Sequence, residues 1–209
     1  MPLESLRTLQ EITPSPLIVT FSYGFRPLTC QWPACAYTEN LIIHMVVTMS
    51  RFSQYTGSAA KLLTELNHSI SVAESSTGGL IAASLLSVPG ASSYFMGGTV
   101  IYTIKSRLAF LDLDRERIRQ LKPLTEEMAL EFARAARAKL DATWGIAELG
   151  VAGPGGTPYS DAIGISVIAI SGPVDASVTI RTDSDDREEN METFTDSALQ
   201  LLVQTLDSI

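Results

Sequence analysis

Ser69-Ile-Ser-Val-Ala-Glu-Ser-Ser-Thr-Gly-Gly-Leu-Ile-Ala-Ala-Ser-Leu-Leu-Ser-Val-Pro-Gly90 carries the change of local structure that decides the fold. Ser69 to Ala73 reads as a short strand. From about Ser76 to Val88 the chain reads as a helix that is apolar on most sides, through Leu80, Ile81, Ala82, Ala83, Leu85 and Leu86, so it is expected to be buried. Pro89-Gly90 stops it. The polar run Glu74-Ser75-Ser76-Thr77-Gly78-Gly79 therefore lies where a strand turns into a helix. A helix N-terminus presents free N–H groups and a partial positive charge. A serine there can hold its Oγ beside donors that bind an anion or stabilise an oxyanion. The glycines let a ligand approach the backbone. The same residues also make ordinary helix caps and packing glycines, which is the competing reading.

Outward from this stretch the pattern stays regular. Upstream, Ala59, Leu62, Leu63 and Leu66 share a helical face, which ends at Asn67-His68. Downstream, Met96 to Tyr102 reads as a strand. Thr125 to Leu140 reads as a helix with Met128, Phe132, Ala136 and Leu140 on one face and Glu126 and Glu127 in the first turn, where the helix dipole favours acids. Ile146–Val151, Ile163–Ile170 and Val174–Arg181 read as strands. Asp186 followed by Glu189 resembles a capping box. It opens a last helix with Met191, Phe194, Ala198, Leu201 and Leu202 on its apolar face. Strands alternating with helices predict an α/β fold, a three-layer αβα sandwich around a mixed, mostly parallel sheet. No internal repeat is present.

Composition agrees with one domain plus an extension. Of 209 residues, 45% are hydrophobic and 18% charged, enough apolar surface for a core. The formal net charge of −8 repels phosphate backbones, which argues against nucleic acid as a partner while leaving room for a pocket that takes one phosphate. Cys30 and Cys35 make no disulfide framework or zinc knuckle and read as free thiols. Neither His44 nor His68 has a second ligand at metal spacing, so no metal and no cofactor is expected. The first 30 residues lack the apolar core of a signal peptide. Leu41 to Met49 is far shorter than the ~20 residues of a membrane helix. The expectation is a cytoplasmic protein with no membrane partner. Half of the ten prolines fall within residues 1–40. Residues 1–51 are accordingly expected to be a poorly ordered extension, or an upstream start before Met49, and residues 52–209 the domain.

Two further segments carry candidate chemistry. Gly150-Val-Ala-Gly-Pro-Gly-Gly-Thr157 follows a strand, where α/β sheets place ligands, and makes Gly153, Gly155 and Gly156 candidate substrate contacts. It is neither a Walker motif nor a dinucleotide fingerprint, and a tight structural turn is the plainer reading. Gly98-Thr-Val-Ile-Tyr-Thr-Ile-Lys-Ser-Arg107 brings Tyr102, Lys105 and Arg107 off a strand end together. Such a group is most often solvated surface.

These three segments, in this order, resemble the CinA C-terminal domain family, which includes bacterial nicotinamide-nucleotide amidase. The resemblance spans roughly residues 53–207. It rests on Ala73 to Gly79, on Pro89-Gly-Ala-Ser-Ser-Tyr94, on Gly150 to Pro154 and on Asp186-Arg187 before the last helix. It implies hydrolysis of the carboxamide of nicotinamide mononucleotide to nicotinic acid mononucleotide and ammonia, without metal or cofactor. It also implies self-association, and it makes Ser75 the nucleophile by position. On this reading the N–H groups of Ser76 to Gly78 form the oxyanion site. Glu74, Ser76, Thr77, Gly78, Gly79 and Arg187 then join the glycine loop as the expected binding residues.

The family places a lysine five residues after its tyrosine to assist the serine. Here Tyr102 is followed by Ile104 where Asn is usual and by Arg107 at the lysine position. A guanidinium stays protonated and is no general base. Three readings stay open. Tyr102 takes the serine proton, helped by the positive charge of Arg107. Lys105 substitutes, although on a helix positions 105 and 107 face about 200° apart. Or the domain binds nucleotides or partners without catalysis. After the glycine loop, Ser160-Asp-Ala-Ile-Gly164 puts an acid where the family commonly has a base, which admits a different amide or nucleotide as substrate.

Overall fold

The computed structural model describes residues 52–157 and 162–209. The sequence features at Cys30, Cys35, His44, residues 41–49, Ser160 and Asp161 lie outside the described residues. Five strands form one sheet in the order β2-β1-β3-β4-β5. They are β1 (Ile70–Glu74), β2 (Phe95–Val100), β3 (Trp144–Val151), β4 (Ile165–Ser171) and β5 (Ala176–Arg181). β1 runs parallel to both β2 and β3, whereas β4 is antiparallel to β3 and β5. Only β4 runs against the others, so the sheet is mixed and mostly parallel, as expected.

Alternation along the strands feeds two cores. Ile70, Val72, Trp144, Ile146, Ile168 and Ile170 face one side, where they pack with Leu63 of α1 (Thr56–Glu65), Leu85 of α2 (Leu80–Leu86) and Leu199 and Leu202 of α6 (Arg187–Leu206). Ala73, Ala147, Leu149, Val167 and Ala169 face the other, against Met128, Phe132 and Ala136. Those three lie on α5 (Glu126–Lys139). Helices on both faces make the three layers. β1 and β4 are buried along their whole length, whereas the edge strands β2 and β5 alternate between half-buried and exposed positions. That contrast follows from coverage of the central strands on both faces and from the open side of each edge.

Two short helices were not expected from the sequence. They are α3 (Ile104–Phe110) and α4 (Arg115–Gln120), and neither contains a buried residue. α3 starts with a capping box, in which Thr103 Oγ1 accepts from Ser106 N at 3.1 Å and Ser106 Oγ accepts from Thr103 N at 2.9 Å. The box expected at Asp186 is half formed. Asp186 Oδ1 accepts from Glu188 N and Glu189 N at 3.0 Å each, but Asp186 N donates to Ser184 Oγ instead of to Glu189.

The helix expected from Ser76 begins only at Leu80. Gly78 and Gly79 take φ of +66° and +107°, left-handed values that interrupt a right-handed helix and suit glycine. Ser75 therefore stands in a turn ahead of α2, not in its first turn. Because β1 and β3 are parallel neighbours, this turn and the Gly150–Gly156 loop leave the sheet side by side at its carboxyl edge.

Candidate active site at the carboxyl edge of the sheet

A cavity of about 690 Å³ opens at that edge. Ser75, Ser76, Tyr102, Arg107, Gly153, Gly155, Gly156 and Arg187 all line it. The three separate sequence segments thus meet at one place. Leu108, Leu113, Ile118, Leu121, Leu124, Met128 and Phe132 make an apolar wall. Among the described residues, the charged ones lining the cavity are Arg107, Arg119 and Arg187. In a chain of net charge −8, such a cavity favours an anionic ligand with an apolar or aromatic body.

Ser75 is 4% exposed, and its Oγ makes no hydrogen bond among the described residues. Tyr102, at 56% exposed, stands at the rim. Arg107 is held on the inner side of α3. Its Nε donates to Ile101 O at 3.2 Å and its guanidinium carbon lies 5.6 Å from the ring centroid of Phe132. Arg187 Nη1 donates to Gly153 O at 2.8 Å, tying the start of α6 to the glycine loop.

Other expected site residues have different places. Lys105 sits on α3 but does not line the cavity, in line with the opposed directions of positions 105 and 107 on a helix. Glu74 is 1% exposed, and its carboxyl is spent within the protein. It accepts from Thr77 Oγ1 (2.8 Å), Gly79 N (3.0 Å), Ile81 N (3.0 Å) and Ala82 N (2.8 Å). The anion at the start of α2 is thus an internal carboxyl, not a substrate. Thr77, Gly78 and Gly79 likewise stay out of the cavity wall.

Burial pushes the Glu74 carboxyl above its ordinary value of 4.5; the N–H groups of Ala82 and Ile81 and the Thr77 hydroxyl pull it down, and the nearby Glu148 pushes it up. A raised carboxyl stabilises the fold most when protonated. Its contribution is complete below 4.5 and is lost as pH rises through the folded value. Glu74→Gln cannot titrate. The melting-temperature gap between wild type and Glu74→Gln is expected to narrow as pH rises from 4.5 to 7, measured by thermal melts; a constant gap would show that the shift is absent.

The residue that sequence reasoning missed is Glu148, at 0% exposure in the middle of β3. Its Oε2 accepts from Ser75 N at 3.1 Å, Thr77 N at 3.0 Å and Thr77 Oγ1 at 3.1 Å. Its Oε1 accepts from Ser166 Oγ at 2.8 Å and, in a short bond, from Ser76 Oγ. The oxyanion site expected from Ser76 to Gly78 is therefore incomplete, because Thr77 N is already bonded. The N–H groups of Ser76 and Gly78 have no partner among the described residues. Gly150 exists for close approach here: a Cβ on it would lie 2.6 Å from Glu148 Oε1 and 2.9 Å from Ile165 O. A charged residue inside the apolar run Ile146-Ala-Glu-Leu149 was the available signal, since buried charge demands partners.

The profile described as the CinA C-terminal domain matches residues 53–206. A CinA-like protein of Cyanothece sp. is 33% identical over 135 residues, 63% of this chain and 32% of its own length. A CinA-like protein of Gloeobacter violaceus is 36% identical over 146 residues, 69% of this chain and 34% of its own length. The chain thus spans about a third of the length of these curated relatives. Among solved structures, the competence/damage inducible protein CihA of Agrobacterium tumefaciens superposes with a TM-score of 0.67 at 28% identity, covering 76% of this chain and 99% of that one. A competence or damage-inducible protein of Enterobacter asburiae gives a TM-score of 0.68 at 25% identity, covering 73% and 96%.

Proposed function

The chain belongs to the CinA C-terminal domain family, and on that premise we propose that it is an amidohydrolase of the nicotinamide-nucleotide type with Ser75 as nucleophile. The observation that carries this reading is the position of Ser75 Oγ. It has no hydrogen-bond partner among the described residues, and the charged residues among them that line its cavity are all arginines. Ser75 Oγ attacks the carboxamide carbon, the C–N bond breaks and ammonia leaves. Water then hydrolyses the acyl-enzyme to the nucleotide acid. We assign to Tyr102, acting as its phenolate, the removal of the serine proton and its return to the departing nitrogen. Arg107, charged throughout, supports the developing oxyanion together with Ser76 N. Gly153, Gly155, Gly156 and Arg187 hold the phosphate.

A second reading is a nucleotide-binding domain without turnover. It is favoured by Arg107 at the family's lysine position and by the bonds from Ser75 N and Thr77 N to Glu148. Ammonia release from nicotinamide mononucleotide by the purified chain, run beside calorimetric binding, separates the two. Turnover supports the amidase, binding without turnover supports the second reading, and neither result leaves both untenable. Arg187→Ala is expected to weaken binding of the mononucleotide about 10- to 100-fold, the worth of one charge-assisted hydrogen bond. Binding of the phosphate-free nucleoside should change far less. Equal losses for both ligands would place the phosphate elsewhere.

A further inference from the structure

The turn that presents Ser75 has three consecutive hydroxyls, and only one of them is unengaged among the described residues. Ser76 and Thr77 donate to Glu148, and so does Ser166 from the neighbouring strand β4. Together with Ser75 N and Thr77 N, five donor groups reach this one carboxylate, of which the Thr77 hydroxyl shares its single proton with Glu74. A carboxylate offers roughly four lone-pair directions, so it has none left for a substrate or for a proton from Ser75. The residue has no exposure, and no ion pair reaches it among the described residues. Glu148 is thus too fully occupied for direct chemistry and too well placed for packing alone.

We infer that Glu148 is a positioning residue. It pins the Ser75–Thr77 turn from beneath and engages every hydroxyl of that turn except Ser75, whose oxygen is left to the cavity. The assignment rests on the serine chemistry proposed above. Gly150 belongs to the same device, because a side chain there would meet the Glu148 carboxylate. The role is one of shape and donor geometry, not of charge. Oε2 receives two backbone N–H groups, which can only donate. Oε1 receives only the hydroxyls of Ser76 and Ser166, which can turn round and accept. A glutamine with its oxygen at the Oε2 position and its NH2 at the Oε1 position keeps the two backbone bonds, the shared Thr77 contact and both serine partners. An aspartate keeps the charge but falls one methylene short.

The two conservative variants should therefore behave oppositely. Glu148→Gln is expected to stay within about tenfold of wild-type kcat with unchanged KM, and Glu148→Asp to lose about a hundredfold or more in kcat with little change in KM. Hydrogen exchange at the Ser75 and Thr77 amides gives a readout independent of turnover. It should be slow in wild type and in Glu148→Gln, and fast in Glu148→Asp. Glu148→Gln as inactive as a Ser75 variant, with Glu148→Asp active, would overturn the assignment in favour of a charge or proton role. Fast exchange in Glu148→Gln would overturn it as well, and decides the matter alone if the aspartate variant does not fold. A wild type inert toward the nucleotide but with the predicted exchange pattern defeats the amidase reading, and with it the catalytic side of the assignment, while the pinning of the turn by Glu148 stands.

Discussion

Ser75→Ala is expected to lose ammonia release from nicotinamide mononucleotide by about 10³-fold or more, the scale on which serine nucleophiles are missed. The same substitution should leave the melting temperature nearly unchanged. Its Oγ makes no hydrogen bond among the described residues, so removing it orphans no partner, unlike the neighbouring hydroxyls. Changes of this kind fall within about 0.5 kcal/mol. Nucleotide affinity should also persist, because the arginines and the glycine loop remain in the cavity. This combination of lost turnover, kept fold and kept binding is the mark of a nucleophile. An alanine variant that still releases ammonia at the wild-type rate would remove Ser75 from the chemistry and turn attention to Ser76, which also lines the cavity.

Glu74→Ala should have the opposite profile, with a large loss of stability that precedes any effect on substrate. The substitution strips partners from the N–H groups of Gly79, Ile81 and Ala82 and one of two partners from the Thr77 hydroxyl. Each buried donor left without an acceptor costs ~1–3 kcal/mol. Part of that is offset, because burial already disfavours the ionised carboxyl. A net loss of about 3 kcal/mol, or roughly 6–12 °C in melting temperature for a domain of this size, is the expected result of a thermal melt. Had Glu74 been a substrate contact, as the sequence suggested, the variant would melt normally and bind poorly. That outcome would restore the earlier expectation.

Most of the fold was legible because its elements are buried on a regular period. α5 and α6 were found from their apolar faces, and β4 and β5 from their apolar runs, each within a few residues of the observed bounds. α3 and α4 were missed for a physical reason. Leu108 lines the cavity and stays exposed, and Ile118 packs against the core but is only partly buried, so neither helix has the buried stripe that betrays a helix in a sequence. The capping pair Thr103 and Ser106 was the one local sign of α3. Among site residues, Ser75, the glycine loop, Tyr102, Arg107 and Arg187 do converge on one cavity. Glu74 and Thr77 were misjudged because a motif does not say which of its polar groups face outward and which are consumed by their neighbours. Glu148 could not be weighed until β3 was placed between β1 and β4, where Ser75, Thr77 and Ser166 come within reach.

The absence of buried residues in α3 and α4 bears on how a ligand gets in. These two helices contribute to the wall of the cavity and are tied down by Arg107, by the Arg117–Glu131 ion pair and by the partly buried Ile118, so they are expected to open locally at less cost than unfolding the domain. The sheet side of the cavity, Leu149 to Val151 at the end of β3, has no such freedom, since β3 is paired on both sides. A ligand that orders α3 and α4 on binding would leave only as they loosen again, so its residence time is expected to report on those helices as well as on its own contacts.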